Sequence, residues 1–274
     1  MPEQPRPSVL KFENATVSFD GVEALADVSF EAFEGESRVI LGAAGSGKTV
    51  LLKTALGLIK PDSGKVFAFG RDLTGMREVD LSRVRARMGM LFQESALFDS
   101  LTIEENVAYP LLNQKSVACP PDQVHRRVVE ALDFVELGET LEKFPSELSG
   151  GMRRRAAIAR AVVTGPPLIL YDSPTAGLDP ITAHTIMALL IQERDTARTT
   201  TVMVTYRYQD GNLMANFRYN SEQGRLELAR NGSRRDLRTT FMVLREGRLI
   251  FEGDQERLES STDPYISKFV KQRE

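Results

Sequence analysis

Cysteine and long hydrophobic runs are scarce in this chain of 274 residues, which has a single cysteine, Cys119. One thiol excludes a disulfide within the chain and suits a reducing compartment. No apolar run approaches the length that crosses a bilayer, and the N-terminal segment 1–7 lacks the pattern of a signal peptide. We therefore expect a cytoplasmic protein whose membrane role, where it has one, depends on a partner protein.

The chain also lacks net positive charge and has only two histidines. The formal net charge is −3, so the composition gives no electrostatic footprint for nucleic acid, and we expect no such partner. His125 and His184 are the only histidines available to a mechanism that needs an imidazole. Hydrophobic residues make up 42% and charged residues 27% of the chain, as in an ordinary globular protein of one large or two small domains.

The most informative stretch is the segment 42–49, which has the pattern G-x-x-x-x-G-K-T. It follows the apolar run 38–41 and precedes a helical pattern at 50–58, the context in which this pattern binds phosphate. Glycines let backbone N–H groups point at an anion, and the helix N-terminus adds partial positive charge. The alternative is a glycine-rich turn before an ordinary helix. The predicted phosphate-binding residues are Gly42, Gly45, Ser46, Gly47, Lys48 and Thr49.

Two further strand patterns end in residues that suit a metal–nucleotide site. The apolar run 168–172 ends in Asp172, the usual position of a carboxylate that coordinates Mg²⁺, and the Thr49 hydroxyl is the predicted companion ligand. The pattern at 88–93 ends in Gln93, whose side-chain carbonyl either ligates Mg²⁺ or positions water, or merely closes the strand.

The rest of the chain divides into strand-like and helical regions. Patterns typical of strands fill 8–33, where Phe19 is either a core residue or a ring that stacks on a purine. Helical spacing at 101–147 predicts a helical insert in an α/β core. The serine and two glycines at 149–151 begin an alanine-rich helix and form a second N-terminus that suits anion binding. The arginines at 153–155 are typical of a solvated helix face.

The order of these motifs resembles the ATP-binding-cassette (ABC) transporter ATPases over roughly residues 8–254. The specific element is the signature Leu148-Ser149-Gly150-Gly151, which separates this family from other phosphate-loop ATPases. The resemblance implies an α/β fold, an ABC-type phosphate-loop (RecA-like) nucleotide-binding domain with an antiparallel β subdomain and a helical subdomain at about 95–160. A C-terminal helical tail at 255–274 would follow this single domain. The resemblance also implies ATP and Mg²⁺ as cofactors, and Phe19 as the adenine-stacking ring.

More narrowly, the segments 89–100, 106–111 and 179–182 resemble Mla-type phospholipid-transport ATPase subunits. That resemblance implies an integral-membrane permease of Mla type, a lipid-binding MCE-domain protein and a peripheral place on the inner face of the cell membrane. In the family, two cassettes close head-to-tail and hold ATP between the phosphate loop of one and the signature residues Ser149, Gly150 and Gly151 of the other. The resemblance also places Asp179, in the loop that follows Asp172, among the nucleotide-binding residues.

Two positions depart from the family pattern. The family has a Glu after the Mg²⁺-binding Asp172, but this chain has Ser173, whose hydroxyl is no base at neutral pH. The family's next strand ends in a His that contacts the γ-phosphate, but this chain has Tyr206. A positioned base is worth about 10²–10⁴-fold in rate, so we expect ATP binding with slow or absent hydrolysis. If another carboxylate acts as the base in place of the family's Glu, the candidates are Glu94 and Asp179.

Three functional classes follow from these residues. The first is a working transporter motor, and the second is a degenerate ATP-binding regulatory subunit paired with a catalytic cassette. The third, a soluble ABC protein of DNA repair or translation, ranks far behind, since the chain has neither a long coiled-coil insertion nor a second cassette. In the first two classes the chain is a subunit of a transporter, and they differ in whether this chain hydrolyses ATP.

The connection at about 208–240 is longer than the family's. Its segments 216–219 and 225–228 predict an inserted hairpin, and 231–236 a mobile loop. This insert is either surface decoration or a contact for a partner or regulator. Farther on, Asp263-Pro264 predicts the cap and first residue of a last helix.

Overall fold

The computed structural model describes residues 6–114, 116–117, 119–229 and 239–271. The strands are β1 Ser8–Phe19, β2 Val22–Phe33, β3 Ser37–Leu41, β4 Ser63–Ala68, β5 Arg71–Asp72, β6 Met88–Leu91, β7 Leu168–Asp172, β8 Thr200–Thr205, β9 Phe217–Asn220, β10 Arg225–Leu228, β11 Thr239–Arg245 and β12 Arg248–Gly253. The helices are α1 Lys48–Ala55, α2 Glu78–Arg85, α3 Ile103–Asn113, α4 Pro121–Phe134, α5 Gly150–Val162, α6 Pro180–Ala197, α7 Tyr208–Asn216, α8 Gln255–Glu259 and α9 Pro264–Lys271. Short 3₁₀ helices lie at Gly138–Thr140 and Pro145–Glu147.

Six strands form the central sheet, in the order β12-β11-β3-β8-β7-β6. The strands from β11 to β6 run parallel, and β12 pairs antiparallel with β11. Both faces of this sheet are buried, so successive side chains of a strand enter different cores; Val39 and Leu41 pack on one side and Ile40 on the other. The parallel strands bring their carboxyl ends to one edge, where ligands bind in open α/β sheets.

One core lies between the central sheet and a second sheet of order β2-β1-β4-β5, whose strand pairs are antiparallel. Helix α1 is enclosed in this core, with Leu51, Leu52 and Ala55 fully buried. Each buried leucine contributes about 1.5–3 kcal/mol, so packing on two sheets holds the helix that follows the phosphate loop. The predicted antiparallel β subdomain is confirmed.

The second core is built by helices on the opposite face of the central sheet. Val128 and Leu132 of α4 are fully buried there beside residues of α3, α5 and α6, which confirms the predicted helical subdomain. The domain limits 8–254 and 255–274 remain predictions. Within the described ranges, none of the helices combines the length and the apolar character that a bilayer crossing requires.

The connection at 208–240 is more ordered than the sequence predicted. Helix α7 occupies its first part, where we expected only a hairpin and a loop. The hairpin is present as β9 and β10, with Asn220 opposite Arg225, and the Tyr219 amide donates to Asp195 Oδ2 of α6 at 2.8 Å. The loop predicted at 231–236 lies outside the described residues.

Candidate functional site

The phosphate loop joins β3 to α1 and requires glycine at particular positions. Gly47 has φ of 101°, and a Cβ there would lie 2.3 Å from the Ala24 carbonyl oxygen of β2. A Cβ on Gly42 would lie 2.6 Å from the Leu244 carbonyl oxygen of β11. Neither position accepts a side chain without displacing backbone, so these glycines set the path of the loop.

Lys48, the first residue of α1, is buried and points back into the loop. Its Nζ donates to the carbonyl oxygens of Gly42 at 2.8 Å and Ala43 at 2.7 Å. Burial lowers the pKa of this ammonium, and the nearby Asp172 carboxylate acts in the opposite direction. The cation is thus held inside the loop by neutral acceptors, which a polyanionic phosphate chain can outcompete.

The two predicted metal ligands already contact each other. Thr49 Oγ1 donates to Asp172 Oδ2 at 2.7 Å, and Asp172 is 2% exposed. Neighbouring oxygen ligands of an octahedral Mg²⁺, each at about 2.1 Å, lie about 3 Å apart. A hydroxyl and a carboxylate at this separation therefore fit Mg²⁺ with little rearrangement.

Ser173 and Tyr206 both lie at the same edge of the central sheet. Ser173 is buried, and its amide donates to the Val204 carbonyl of β8 at 2.8 Å. Its hydroxyl donates to Asp172 Oδ1 at 3.1 Å. Tyr206 follows Thr205, whose carbonyl accepts from the Gly42 amide at 3.3 Å. The structure thus brings both departures from the family pattern beside the phosphate loop and Asp172.

The other predicted residues have different contacts within one chain. Ser149 caps α5 and accepts from the Met152 amide at 3.2 Å. Gly150 and Gln93 line a separate cleft of about 380 Å³. Gly151 packs on Thr182, since a Cβ there would lie 2.7 Å from the Thr182 methyl carbon. Among the described residues, no hydrogen bond or ion pair joins the signature residues or Gln93 to the phosphate loop.

Asp179 and Phe19 are the remaining predicted nucleotide-binding residues. Asp179 caps α6, and its Oδ1 accepts from the amides of Ile181 and Thr182, both at 3.0 Å. The Thr182 hydrogen bonds lower the pKa of this carboxyl, which makes it a weaker base. Phe19 lies at the end of β1 and is 49% exposed, so its ring is not part of the core. The second strand of the same hairpin, β2, contacts the phosphate loop where Ala24 meets Gly47.

One expectation about the helix α5 holds for Arg153, which is exposed, and is wrong for Arg154. The arginine run was expected on a solvated face, but Arg154 is 5% exposed and donates to the Phe92 carbonyl at 2.9 Å. Arg160, six residues farther along, donates to the carbonyls of Ser95 and Ala96, both at 2.8 Å. These arginines tie α5 to the segment that carries Gln93. Composition gave no signal for this, because an arginine run alone does not reveal which side chain faces inward.

A second residue missed from the sequence is Asp210 of α7. It is 1% exposed, and its carboxylate accepts from the hydroxyls of Thr175 at 2.7 Å and Thr205 at 2.8 Å. Thr175 lies two residues after Ser173, and Thr205 immediately precedes Tyr206. Asp210 therefore connects the two chain segments that carry the altered positions.

Comparison with known proteins gives a consistent result. The family model described as ABC transporter matches residues 25–176. The methionine import ATP-binding protein MetN of Carboxydothermus hydrogenoformans is 38% identical over 71% of this chain, which spans 58% of that relative. The intermembrane phospholipid transport system ATP-binding protein MlaF of Haemophilus influenzae is 31% identical over 89% of this chain and 83% of that protein.

The fold has a similar counterpart among solved structures. The dimeric post-hydrolysis structure of the ATP-binding cassette MJ0796, bound to ADP and Pi, superposes with a TM-score of 0.73 at 29% sequence identity. The match covers 89% of this chain and 98% of that one. The α/β architecture with its antiparallel sheet and helical subdomain is thus that of a known nucleotide-binding cassette.

Proposed function

This chain belongs to the ABC transporter family, and from that membership we propose that it is the ATP-binding subunit of a transporter. The phosphate loop between β3 and α1 supports ATP as its ligand. The observation that carries the proposal is the contact of Thr49 with Asp172 at 2.7 Å beside the buried Lys48, because it joins the phosphate cradle to a Mg²⁺-compatible oxygen pair.

The chain's own residues divide the work of binding. Lys48, the loop amides and the N-terminus of α1 hold the phosphates, while Thr49 and Asp172 hold Mg²⁺. Bound Mg²⁺ supplies neutralisation of phosphate charge. Phe19 offers an exposed ring for the adenine, and Gln93 offers a side-chain carbonyl that would ligate Mg²⁺ or position water.

We infer that hydrolysis in this chain's own site is slow or absent. Ser173 lacks a basic group, and its hydroxyl is engaged with Asp172 at 3.1 Å. Of the substitute carboxylates, Asp179 is bound to two backbone amides, which lowers its basicity. Glu94 lines the cleft beside Gln93 and Gly150. The second candidate function, a degenerate regulatory subunit paired with a catalytic cassette, is favoured by the same serine.

A nucleotide site of this kind is completed by a second cassette. Ser149, Gly150 and Gly151 lie at the exposed N-terminus of α5, away from the phosphate loop of their own chain. They are therefore available to the phosphate loop of another copy or of a different cassette. The dimeric structure of MJ0796 supports such pairing.

Among transported cargoes we favour lipid, in a Mla-like system. The likeness to MlaF extends over 83% of that protein, whereas the likeness to MetN covers 58% of the methionine-import protein. Under this proposal the partners are a Mla-type permease and an MCE-domain lipid-binding protein, and the chain sits peripherally on the inner face of the membrane. A permease contact near Gln93 would be transmitted to the signature helix through Arg154 and Arg160.

ATP binding is tested by replacing the buried cation. Lys48→Ala should weaken ATP binding at least about tenfold, because charge-assisted hydrogen bonds contribute about 1.5–3 kcal/mol. Lys53→Ala, on the same helix, is the matched control and should bind like the unaltered chain. Binding is measured with a fluorescent ATP analogue and Mg²⁺. Equal affinity in all three proteins would contradict the proposed phosphate site.

The lipid assignment needs a separate experiment. The chain is co-expressed with a Mla-type permease and, in parallel, with a methionine-import permease, and each mixture is analysed by size-exclusion chromatography. A stable complex with the Mla-type permease alone supports lipid transport. A complex with the methionine permease alone would overturn that assignment while leaving the ATP site intact.

A further inference from the structure

The C-terminal helix α9 reaches the phosphate loop through one hydroxyl group. Tyr265 Oη accepts a hydrogen bond from the Ala43 amide at 3.0 Å and donates one to the Leu244 carbonyl at 3.2 Å. Ala43 is the second residue of the phosphate loop, and Leu244 lies in β11. The phenol therefore bridges the loop and the sheet strand beside it.

The ring that carries this hydroxyl is held on several sides. Asp263 Oδ1 accepts from the Tyr265 amide at 2.7 Å and so fixes the start of α9. Phe269 packs edge-on against the Tyr265 ring, with centroids 5.3 Å apart, and is itself buried. The Arg245 guanidinium lies 5.3 Å above the same ring. These contacts limit the positions that the hydroxyl can adopt.

The loop receives a second contact from the same part of the chain. The Gly247 amide, in the turn between β11 and β12, donates to the Ser46 carbonyl at 3.1 Å. Leu244 also approaches Gly42 so closely that a Cβ there would lie 2.6 Å from its carbonyl oxygen. The C-terminal region thus forms one wall of the phosphate loop, and Tyr265 is its most distant contributor in sequence.

We propose that Tyr265 is a positioning residue for the phosphate loop, and that docking of α9 and binding of nucleotide stabilise each other. The proposal rests on the proposed ATP site. Tyr265 accepts from the N–H of the peptide that joins Gly42 to Ala43, and the carbonyl of that same peptide, from Gly42, accepts from Lys48 at 2.8 Å. The phenol therefore acts on the lysine through one peptide unit. Because coupling between two sites is reciprocal, ATP strengthens α9 docking as much as docked α9 strengthens ATP binding. A partner that lifts α9 would therefore weaken nucleotide binding.

The test is the substitution Tyr265→Phe, which removes the hydroxyl and keeps the ring packing. One neutral hydrogen bond corresponds to about a 2- to 10-fold change in affinity, and we expect ATP to bind more weakly by that factor. Tyr219→Phe, on the hairpin β9–β10, removes a hydroxyl elsewhere and should leave affinity unchanged. Both variants are measured with Mg²⁺ and the fluorescent ATP analogue.

A second measurement distinguishes coupling from a general loss of stability. Hydrogen exchange of α9 is followed by mass spectrometry with and without ATP. In the unaltered chain, ATP should slow exchange in α9; in Tyr265→Phe that slowing should largely disappear. Unchanged affinity and unchanged slowing in Tyr265→Phe would overturn the inference, while absent ATP binding in the unaltered chain would instead overturn the proposed function.

Discussion

In the proposed site, Ser173 leaves the binding residues in place and lacks the basic group that hydrolysis requires. Its backbone adopts φ of 48°, in the left-handed region that few residues with a Cβ occupy. In that conformation the Ser173 amide donates a hydrogen bond to the Val204 carbonyl. The Ser173 hydroxyl donates to Asp172 Oδ1, while the Thr49 hydroxyl donates to Oδ2. Both oxygens of the carboxylate are thus oriented by hydroxyl donors, an arrangement that supports metal binding and supplies no proton acceptor for water.

Another single residue makes stability depend on pH. Glu193 of α6 is 7% exposed, and burial raises its pKa from 4.5 to about 7. Burial raises the pKa of the Tyr171 phenol in the strand β7, and the Glu193 carboxylate adds to that rise. A folded-state pKa above the unfolded value gives a contribution that is present at low pH and lost as pH rises to about 7.

We therefore predict that Glu193→Gln removes part of the pH dependence of folding. A rise of about 2.5 in pKa corresponds to stability on the order of 3 kcal/mol, lost by the unaltered chain between about pH 4.5 and 7. Over the same pH range, the free energy of unfolding of the variant should rise by that amount relative to the unaltered chain. Urea unfolding at pH 5 and pH 7.5 measures the difference. Parallel pH profiles would show that Glu193 is ionised in the folded protein.

At the scale of elements, Asp210 links the ends of two parallel strands through the start of α7. Its acceptors bind Thr175, from the loop after β7, and Thr205, the last residue of β8, while Arg207 lies 3.8 Å away. Burial raises the pKa of Asp210, and the two threonine hydroxyls and Arg207 act against that rise. The carboxylate therefore keeps the Ser173 and Tyr206 segments in register.

We expect Asp210→Ala to destabilise the fold by about 2 kcal/mol, because two buried hydroxyls lose their acceptor. Asp99→Ala, at an exposed loop position, is the control and should change the free energy of unfolding by less than about 0.5 kcal/mol. Urea denaturation measures both variants. Equal midpoints for Asp210→Ala and the control would mean that the threonines find other partners.

The elements differ in how well the sequence predicted them. The apolar runs of β3, β7 and β8 and the helices α4 and α6 were predictable, because pattern and length agree there. Helix α7 was missed since its sequence contains glycine and asparagine, which favour turns. Its Gly211 is required by packing, as a Cβ there would lie 2.6 Å from the Phe241 ring. Such a tertiary contact leaves no local signal.

At the scale of the whole molecule, the site residues differ in whether the sequence alone could predict them. At the carboxyl edge of the central sheet lie Lys48, Thr49 and Asp172, which belong to local sequence motifs and are close together in the fold. Arg154, Asp210 and Tyr265 act across long sequence distances, because the fold brings α5, α7 and α9 to the site's supporting segments. Those contacts depend on which helix face meets the sheet, and no spacing rule in the sequence reveals that.

For the whole molecule, our proposal separates ATP binding from ATP hydrolysis, and a hydrolysis assay tests that separation. Steady-state ATP hydrolysis is measured for the purified chain at saturating ATP and Mg²⁺, beside the double variant Ser173→Glu, Tyr206→His. Position 173 already holds a residue with a Cβ at positive φ, so glutamate adds no new backbone strain there.

We predict that the unaltered chain binds ATP with negligible turnover and that the double variant is faster by about 10²–10⁴-fold, the usual effect of a positioned base. Lys48→Ala in the double-variant background should abolish the gain, because the activity arises at this site. Turnover of about 1 s⁻¹ or more by the unaltered chain, a rate common among enzymes, would mean that another residue acts as the base.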